Sequence, residues 1–573
     1  MKKQVFIKAT EWLCAPLGIA MALAIAWPVN GAWAALLWLA ALALTLWAAH
    51  GFFQRMDRRI QVCFGLLGAL LVLALALGLC LNVHGRTGWK NLALCLGAAL
   101  CLGPAAGQGF GLLARLLERG RKPAGLSPRK AFWLCFGVLA VCWLPMYLAF
   151  FPGNASFDIP DQMRQIALGQ YKTHHPLVHT LLLALWTGLL GNEAGYAAYT
   201  LLQMLLTAAS AAYALSWLQS RWQARIWLAL GWLAVMPFYG IMAVSGTKDV
   251  LFAAALLTLT VEWLRWFLEP ERKRRRSVLV WDALLTMLVC LLRNNAVYAV
   301  LAALLLGLLF GRRWLTKRAA AVALAGVVAS TGVAAGLKAA AHAADLYAGE
   351  FLSVPCQQLA RAYHFGNMDE GTAYEVAQAL PNVDAYEPQL ADAVKDVLGL
   401  GRKGQLQTLI KLWGREALHY PIPYVDAFLL TSRGYWDLTD STFANINNIR
   451  YPALIGCIDL SHSAVSYISE HSLLPGLKTL MRRWFRENEW MRFPLLGRLL
   501  CPAFYTWMLL FCLTWAVWKR GWVFLPGGLL ALLYLATLLL GPCCLVRYQF
   551  DLMLIAPVLL CALSAQTKEE KTV

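Results

Sequence analysis

A short polar segment in an otherwise apolar stretch of the sequence carries side chains that could transfer protons. Asp158 and Asp161 follow the end of one apolar run, and His174 and His175 stand just before the next. A carboxylate a few residues beyond the end of a membrane helix lies at the bilayer surface, where it stays ionised and can act as a general base. We therefore take Asp158 and Asp161 as candidate catalytic residues, and His174 and His175 as candidate substrate-binding residues.

Each of these residues also has a simpler structural interpretation. Asp158 or Asp161 could cap the short helix that follows, which is the commoner role of a loop aspartate, although Ser156 could supply the cap instead and leave one carboxylate free. The two histidines could be interfacial hydrogen-bonding groups. Without a third ligand at a defined spacing, they are only weak support for a zinc site.

Basic residues at the ends of three other apolar runs could bind a phosphate. Lys248 precedes Asp249 at the start of a predicted helix, whose amide dipoles attract anions. An Arg in an apolar setting is costly unless it snorkels or meets a partner or ligand, and a ring of such cations would suit a lipid phosphate or pyrophosphate. The candidate substrate-binding residues of this group are Lys248, Asp249, Arg293, Asn294, Arg547 and Tyr548.

Two alternatives stay open for the remaining polar positions. Thr247 or Asp249 could do no more than cap the helix that begins there. Gln357, Gln358 and Arg361, with Tyr435 further along the chain, are residue types that bind sugar hydroxyls and sugar rings. The same types are equally common where a domain docks on a helix bundle.

The composition places this chemistry in a membrane protein. Of the 573 residues, 60% are hydrophobic, 12% are aromatic and only 14% are charged, which excludes an ordinary soluble protein of this length. The formal net charge of +19 comes from 50 Lys and Arg against 31 Asp and Glu. Membrane proteins collect cations on cytoplasmic loops, so the excess is an orientation signal and does not indicate a nucleic-acid partner.

Apolar runs long enough, or nearly so, to cross a bilayer predict about fourteen transmembrane helices. The runs are 12–28, 32–49, 61–82, 91–113, 131–151, 196–218, 226–241, 250–268, 278–292, 296–310, 319–340, 499–518, 522–540 and 549–564. A further run, Leu177 to Leu190, is shorter. If it crossed, the basic clusters at 272–276 and 312–318 would face outward, against the positive-inside rule. We therefore expect it not to cross, with both termini cytoplasmic and the protein in the plasma membrane.

The crossings divide the chain into four predicted regions. They are N-terminal helices at 1–130, a transmembrane core at 131–340 with an outer loop at 152–176, an extracytoplasmic domain at 341–494, and C-terminal helices with a short cytoplasmic tail at 495–573. The domain contains 13 basic and 17 acidic residues and has helix-like stretches, so we expect it to be mainly helical. Cys356 and Cys457 could pair there, whereas the adjacent Cys543 and Cys544 have no role in this interpretation.

These motifs resemble the GT-C superfamily of polytopic membrane glycosyltransferases. The resemblance lies in an acidic residue in the first long outer loop, a short helix led by His-Pro, and a Lys-Asp element in the next outer loop. An uncharacterised bacterial branch of that superfamily is closest, and the similar positions run from about 150 to 550. They are Pro152-Gly153, Ser156-Phe157-Asp158, Gln162, Gly169, Tyr171, His174-His175-Pro176, His179-Thr180, Lys248-Asp249, Arg293-Asn294-Asn295, Pro355, Gln357-Gln358, Arg361, Tyr424, Asp426 and Gly434-Tyr435-Trp436.

The resemblance implies an all-α, GT-C-like bundle that transfers a sugar from a polyprenyl-phosphate donor to an envelope glycan, lipid or protein at the outer face, with inversion. Asp158 would be the general base and the cations would hold the lipid phosphate. Asp161 stands where the closer relatives have a neutral residue, so it ranks below Asp158. GT-C enzymes that use a divalent ion carry paired acids in the second loop, where this chain has Lys248 and Asp249. The need for Mg²⁺ or Mn²⁺ therefore stays open.

Two other classes of function fit parts of the sequence. A transporter or flippase of a lipid-linked glycan would hold the same phosphate without breaking a bond, but it would need ionisable residues in mid-bundle. The clearest intramembrane charges, Glu262 and Lys338, lie near helix ends. A non-catalytic scaffold for envelope assembly would tolerate the loss of the loop carboxylates.

Overall fold

The structure is a computed structural model, and the residues it describes are almost all helical. They are 17–22, 43, 45–46, 49–51, 56–118, 126–155, 158–222, 225–269, 275–309, 317–345, 351–395, 403–440, 445–446, 449–450, 467–487 and 489–565. The exceptions to helix and loop are two strands of two residues, β1 (Asn445–Ile446) and β2 (Ile449–Arg450). They pair antiparallel with Asn445 opposite Arg450.

The helices follow one another with short connections. In chain order they are α1 Arg58–His84, α2 Trp89–Glu118, α3 Pro128–Ala149, α4 Asp158–Leu168, α5 Leu177–Leu190, α6 Asn192–Trp222, α7 Ile226–Val235, α8 Pro237–Ala243, α9 Lys248–Leu268, α10 Arg276–Leu292, α11 Ala296–Leu309, α12 Lys317–Ala340, α13 Ser353–Phe365, α14 Glu370–Ala379, α15 Asp392–Lys395, α16 Lys403–His419, α17 Pro421–Thr431, α18 Pro475–Phe485, α19 Pro494–Leu499, α20 Pro502–Lys519, α21 Leu525–Leu538 and α22 Phe550–Ala565. A 3₁₀ turn, Val546–Gln549, leads into α22.

The prediction of about fourteen crossings is wrong. Among the described residues, seven helices are long and apolar enough to cross a membrane, or eight if the bent pair α7–α8 forms one span. The seven are α1, α2, α3, α6, α9, α12 and the helix from Val546 through α22. Most of the predicted runs 12–28 and 32–49 lies outside the described residues. The chain is nonetheless a helical membrane protein.

Short helices and one sharp bend account for part of the difference. Helices α10 and α11 have 17 and 14 residues and are separated by Arg293, Asn294 and Asn295. At about 1.5 Å per residue, 14 residues span about 21 Å, which is short of a hydrocarbon core of about 30 Å. The run 226–241 is bent by 69° where Pro237 begins α8. Helix α5 has the predicted bounds, Leu177–Leu190, and is equally short.

Two helices form the centre of the bundle. Helix α9 and the span from Val546 through α22 are the most buried of the candidate spans, and each packs against several other helices. Lys248 is the first residue of α9, and Arg547 lies in the turn that leads into α22. The fold therefore places two basic residues at the starts of the two central helices.

The predicted extracytoplasmic region contains two kinds of structure. Helices α13–α17 enclose a hydrophobic core of their own, which includes Leu359 and Leu409. They dock on the turn between α1 and α2, where Arg361 Nη2 donates to the Gly85 carbonyl at 2.7 Å. Tyr435, by contrast, is buried in the main core of the bundle. The four domain boundaries stay predictions.

The cysteine predictions have separate outcomes. Cys356 is a buried free thiol, and Cys457 lies outside the described residues, so their pairing stays a prediction. Cys543 and Cys544 are free thiols that contact the segment around Tyr435. The carbonyl of Cys543 accepts the Tyr435 hydroxyl at 3.3 Å.

Candidate functional site

Charged side chains from separate segments meet at one end of the central helices. Asp158 begins α4, Lys248 and Asp249 begin α9, Arg293 follows α10, and Arg547 precedes α22. Asp158, Lys248 and Asp249 are buried, and the side chains of Arg293 and Arg547 are 12% and 13% exposed. We call these five residues the charge cluster.

Asp158 is held by two cations of the charge cluster. Lys248 Nζ donates to Asp158 Oδ2 at 2.5 Å. Arg547 binds both oxygens of the same carboxylate, Nη1 to Oδ2 at 2.8 Å and Nη2 to Oδ1 at 3.1 Å. This is the two-pronged geometry in which arginine binds carboxylates and phosphates.

Asp249 lies between the two arginines of the charge cluster. Arg293 Nη2 pairs with Asp249 Oδ1, and Arg547 Nη1 lies 3.4 Å from Asp249 Oδ2. Both guanidinium groups also lie near the ring of Tyr548, with their central carbons 4.8 Å and 4.9 Å from its centroid. At these distances the ring stabilises both cations. Arg547 is thus the cation that joins the two carboxylates.

The cap of α9 comes from Thr247, one of the two alternatives that the sequence left open. Its side chain accepts the backbone N–H of Asp249 and donates to Asp249 Oδ2 at 3.1 Å. Because Thr247 supplies the cap, Asp249 is free to bind the arginines. Ser156, the predicted alternative cap of α4, lies outside the described residues.

His175 connects Lys248 with Asp161. Its Nδ1 accepts from Lys248 Nζ at 3.3 Å, and its Nε2 lies 3.5 Å from Asp161 Oδ2. Burial and the charge of Lys248 lower the pKa of His175, so the ring is neutral at pH 7. The contact with His175 lowers the pKa of Asp161 to about 2, and Gln165 also donates to this carboxylate at 2.7 Å. Asp161, which is 42% exposed, is therefore an ionised neighbour of the charge cluster.

The pKa of Asp158 reflects opposing effects. Burial raises it, but the charges of Arg547 and Lys248, together with the Arg547 hydrogen bond, outweigh burial. The result is a pKa well below the usual range of a carboxyl group. In this arrangement Asp158 is firmly ionised and its proton affinity is low.

A chain of buried hydrogen bonds connects α4 with the loop before α9 and so supports the charge cluster. Gln162 Nε2 donates to His179 Nδ1 at 2.9 Å, and His179 Nε2 contacts the Tyr199 hydroxyl at 2.7 Å. That hydroxyl donates to Gln203 Oε1 at 3.0 Å, and Gln203 Nε2 donates to the Ser245 carbonyl at 2.8 Å. Every link is satisfied when His179 is neutral and protonated on Nε2. The chain fixes α4 relative to the loop that leads to Lys248.

The loops before α4 and α9 are also tied to each other directly. The Asn154 N–H donates to the Val244 carbonyl at 3.0 Å, and the Gly246 N–H donates to the Asn154 carbonyl at 2.9 Å. The Asn154 side chain adds a bond to Ser245 Oγ at 2.7 Å. A Cβ at Gly246 would overlap the ring and hydroxyl of Tyr196. Only glycine allows this approach, which sets the separation between Asp158 and Lys248.

Several predicted site residues lie outside the charge cluster. His174 is exposed and packs edge-on against the His175 ring, with centroids 4.6 Å apart. Asn294 is exposed and lines a neighbouring cavity of about 230 Å³. Gln357 Nε2 donates to the Glu387 carbonyl at 2.8 Å and Gln358 Nε2 to the Tyr424 carbonyl at 3.0 Å. These two bonds stay within α13–α17, whereas Arg361 on Gly85 and Tyr435 on Cys543 reach the bundle, so only the last two residues fit the docking interpretation.

Asp551, a buried acid near the charge cluster, is not among the site residues predicted from the sequence. It follows Arg547 by one helical turn, and its carboxylate has no hydrogen-bonding side chain among the described residues. Arg293 and Asp249 are close enough to interact with it electrostatically. An acid inside an apolar run is costly, so the position of Asp551 in the run 549–564 could have marked it as a candidate site residue. Asn154 and His179 were also missed as supporting groups, because their residue types are common in such positions.

The donor set of the charge cluster does not fit a divalent cation. Both carboxylates that could bind Mg²⁺ or Mn²⁺, Asp158 and Asp249, are already faced by cationic side chains. Across the described residues, no group of three or more His, Cys, Asp and Glu side chains is arranged to hold a metal. The positive charge that a metal would supply is instead provided by Lys248, Arg293 and Arg547.

A comparison with protein families identifies the chain. Residues 170–573 match a family described as a family of unknown function, DUF6020, and the chain belongs to it. The match contains His175, Lys248, Arg293 and Arg547, and it begins after Asp158 and Asp161. No curated protein and no solved structure matches the chain.

Proposed function

We propose that this DUF6020 protein is a GT-C-type membrane glycosyltransferase that transfers a sugar from a polyprenyl-phosphate donor to a cell-envelope acceptor. The observation that carries the proposal is the charge cluster itself. Lys248 and Arg547 converge on Asp158 from positions 90 and 389 residues away, at the end of a membrane helix bundle. A carboxylate beside several fixed cations suits a reaction in which a base takes a proton while a phosphate departs.

In the proposed reaction, the acceptor hydroxyl oxygen forms a bond to the anomeric carbon of the sugar. The bond from that carbon to the phosphate oxygen breaks on the opposite face, and polyprenyl phosphate leaves with the electron pair. Asp158 accepts the hydroxyl proton, and Lys248, Arg293 and Arg547 stabilise the phosphate as its charge develops. Because attack and departure occur on opposite faces, the anomeric configuration inverts.

The surroundings of the charge cluster favour a lipid-linked donor over a water-soluble one. The cavity of about 230 Å³ is lined by Leu177, Leu291 and Leu337 among other residues, and it lies between α5, α10, α11 and α12. Pro176 and Asn294, which also line it, are the chain neighbours of His175 and Arg293. A cavity of this size beside the charge cluster suits the first few isoprenoid carbons of a lipid-linked donor.

We assign the charge cluster to the outer face because the opposite ends of the same helices carry basic residues. Arg129 and Lys130 begin α3, Arg265 lies in the last turn of α9, and Lys317 and Arg318 begin α12. An excess of Lys and Arg in short loops and at the helix ends beside them indicates the cytoplasmic side. By this assignment the protein lies in the plasma membrane with helices α13–α17 outside and both termini cytoplasmic.

Purified protein in detergent provides the test of this function. A panel of short-chain polyprenyl-phosphate hexoses and pentoses is supplied with extracted envelope acceptors, and release of free polyprenyl phosphate is measured. We expect turnover of one donor, and the same sugar should be missing from the envelope of cells that lack the protein. A flippase would show no turnover in detergent because no leaflet exists to cross. The absence of release with every donor would refute the proposal.

A further inference from the structure

The state of Asp158 in the structure conflicts with the work of a general base. A base needs a free lone pair and a proton affinity suited to the acceptor hydroxyl. Here three of the roughly four lone pairs of the carboxylate are taken, because Oδ2 accepts from Lys248 at 2.5 Å and Arg547 at 2.8 Å and Oδ1 accepts from Arg547 at 3.1 Å. The carboxylate is 9% exposed and cannot approach an acceptor without leaving these cations.

The cations around Asp158 have more hydrogen-bonding capacity than a carboxylate uses. Arg547 Nε is buried without an acceptor among the described residues, and the same holds for Arg293 Nε. Unsatisfied buried N–H groups of charged side chains are costly. A phosphate monoester or diester has more oxygens than a carboxylate and binds the same arginine fork. A larger anion would therefore accept more of the hydrogen bonds that these cations can donate than Asp158 does. We call the position of Asp158 between Lys248 and Arg547 the seat.

We propose that Asp158 occupies the seat of the donor phosphate in the ligand-free protein, and that the phosphate displaces it by taking over Lys248 and Arg547. This inference rests on the proposed function only in taking the ligand to be a lipid phosphate. Once displaced, the Asp158 carboxylate loses its two cationic partners and becomes a competent base beside the bound donor. The protein thus generates its base only when the donor is present, which orders donor binding before proton transfer.

The exchange predicts that removing the Asp158 charge tightens phosphate binding. When an internal group occupies a binding site most of the time, the apparent affinity for the ligand is reduced to the fraction of time that the site is free. Removing the Asp158 charge should therefore strengthen phosphate binding by at least about tenfold. We would titrate purified, full-length protein in detergent with farnesyl phosphate, using farnesol as the ligand without phosphate. Asp158→Asn should bind farnesyl phosphate at least about tenfold more tightly than wild type, and farnesol equally weakly.

Two variants separate displacement from a general charge effect. Asp161 lies one turn along α4 from Asp158, and its carboxylate contacts His175 and Gln165. Asp161→Asn should therefore change the affinity for farnesyl phosphate by less than about threefold. Glu375→Gln breaks the exposed pair with Arg415 and serves as the remote control. Equal tightening in Asp158→Asn and Asp161→Asn would overturn the proposal. Unchanged or weaker binding in a folded Asp158→Asn protein would overturn it as well.

A second measurement on the wild-type protein covers the case in which Asp158→Asn fails to fold. Carbodiimide labelling of Asp158, followed by mass spectrometry, should be slow without ligand and faster with saturating farnesyl phosphate. Unchanged or slower labelling would contradict displacement. These readouts are independent of sugar transfer. If transfer occurs without the affinity difference, only the exchange fails, whereas the affinity difference without transfer refutes only the proposed glycosyltransferase.

Discussion

Arg547 binds both carboxylate oxygens of Asp158, although 389 residues separate the two in the chain. The contact joins the start of α4 to the turn that leads into the last described helix, α22. Arg547 also lies beside Asp249, which pairs with Arg293, so one guanidinium connects the acidic and basic groups of the charge cluster. The fold of the bundle and the geometry of the candidate site are therefore linked through a single residue.

The first prediction concerns Arg547. Replacing it with Ala leaves Asp158 and Asp249 buried with fewer cations, and loss of one partner from a buried pair lowers the free energy of unfolding by about 3 kcal/mol or more. Arg547→Lys keeps the charge but not the two-pronged contact, so its loss should be smaller. Unfolding in a mixed-detergent titration measures both effects. Arg129→Lys, at an exposed position, is the matched control, and equal stability of all variants would contradict the prediction.

The second prediction concerns the close approach at Gly246. An added Cβ must push away Tyr196, which would separate the loops that carry Asp158 and Lys248. We expect Gly246→Ala to lower stability by about 1–3 kcal/mol and to weaken binding of farnesyl phosphate. Gly414→Ala is the control, because its Cβ would meet no atom within 4 Å. Thermal unfolding and ligand titration of the two variants should differ, and identical behaviour would show that Gly246 has no positioning role.

The third prediction is a pH dependence set by His179. Burial lowers the pKa of His179 to about 3, against an ordinary value near 6.5. Between these values the unfolded chain binds a proton that the folded chain does not, so stability falls as pH falls below about 6.5. The loss from this residue at pH 5 is about 2 kcal/mol. Unfolding measured from pH 7.5 to 5 should be steep in wild type and shallower in His179→Gln.

The control for the pH experiment is His419→Gln, since His419 is an exposed histidine with 66% of its side chain accessible. Its profile should follow that of wild type. A profile for His179→Gln as steep as that of wild type would mean that another group, such as His175, accounts for the whole dependence.

The fourth prediction concerns divalent ions. Since Lys248, Arg293 and Arg547 already face the carboxylates that could bind a metal, their charge should suffice for the departing phosphate. We expect EDTA to leave sugar transfer within about twofold of the untreated rate and added Mg²⁺ or Mn²⁺ to have no larger effect. A loss that Mg²⁺ or Mn²⁺ restores would assign the donor phosphate a metal instead.

The sequence identified the charge cluster by residue type but not by its contacts. Lys248, Arg293 and Arg547 stand out because charges at the ends of apolar runs are costly and rare. Their pairing with Asp158 and Asp249 depends on how α9 and α22 pack, which no local pattern encodes. His179 was not recognised as a supporting group because a histidine on an apolar helix resembles any other interior residue.

The count of crossings failed for a related reason. Apolar composition continues across the bend before Pro237, and the predicted runs on either side of Arg293 fold as helices of 17 and 14 residues, which are too short to be counted as spans. The same limit applied to Gln357, Gln358 and Arg361, whose residue types suit either a sugar site or an interface. In the structure Arg361 contacts Gly85 across the interface with the bundle, whereas Gln357 and Gln358 bond to Glu387 and Tyr424 within α13–α17.

The most direct test of the account is the rate of sugar transfer by Asp158→Asn protein in detergent, measured as release of polyprenyl phosphate from the donor that the wild type uses. A general base contributes about 10²- to 10⁴-fold to the rate. We therefore predict a loss of at least about 100-fold, with the elution profile of folded protein and with farnesyl phosphate still bound. Transfer by folded Asp158→Asn protein at the wild-type rate would contradict the assignment of Asp158 as the base and, with it, the proposed mechanism.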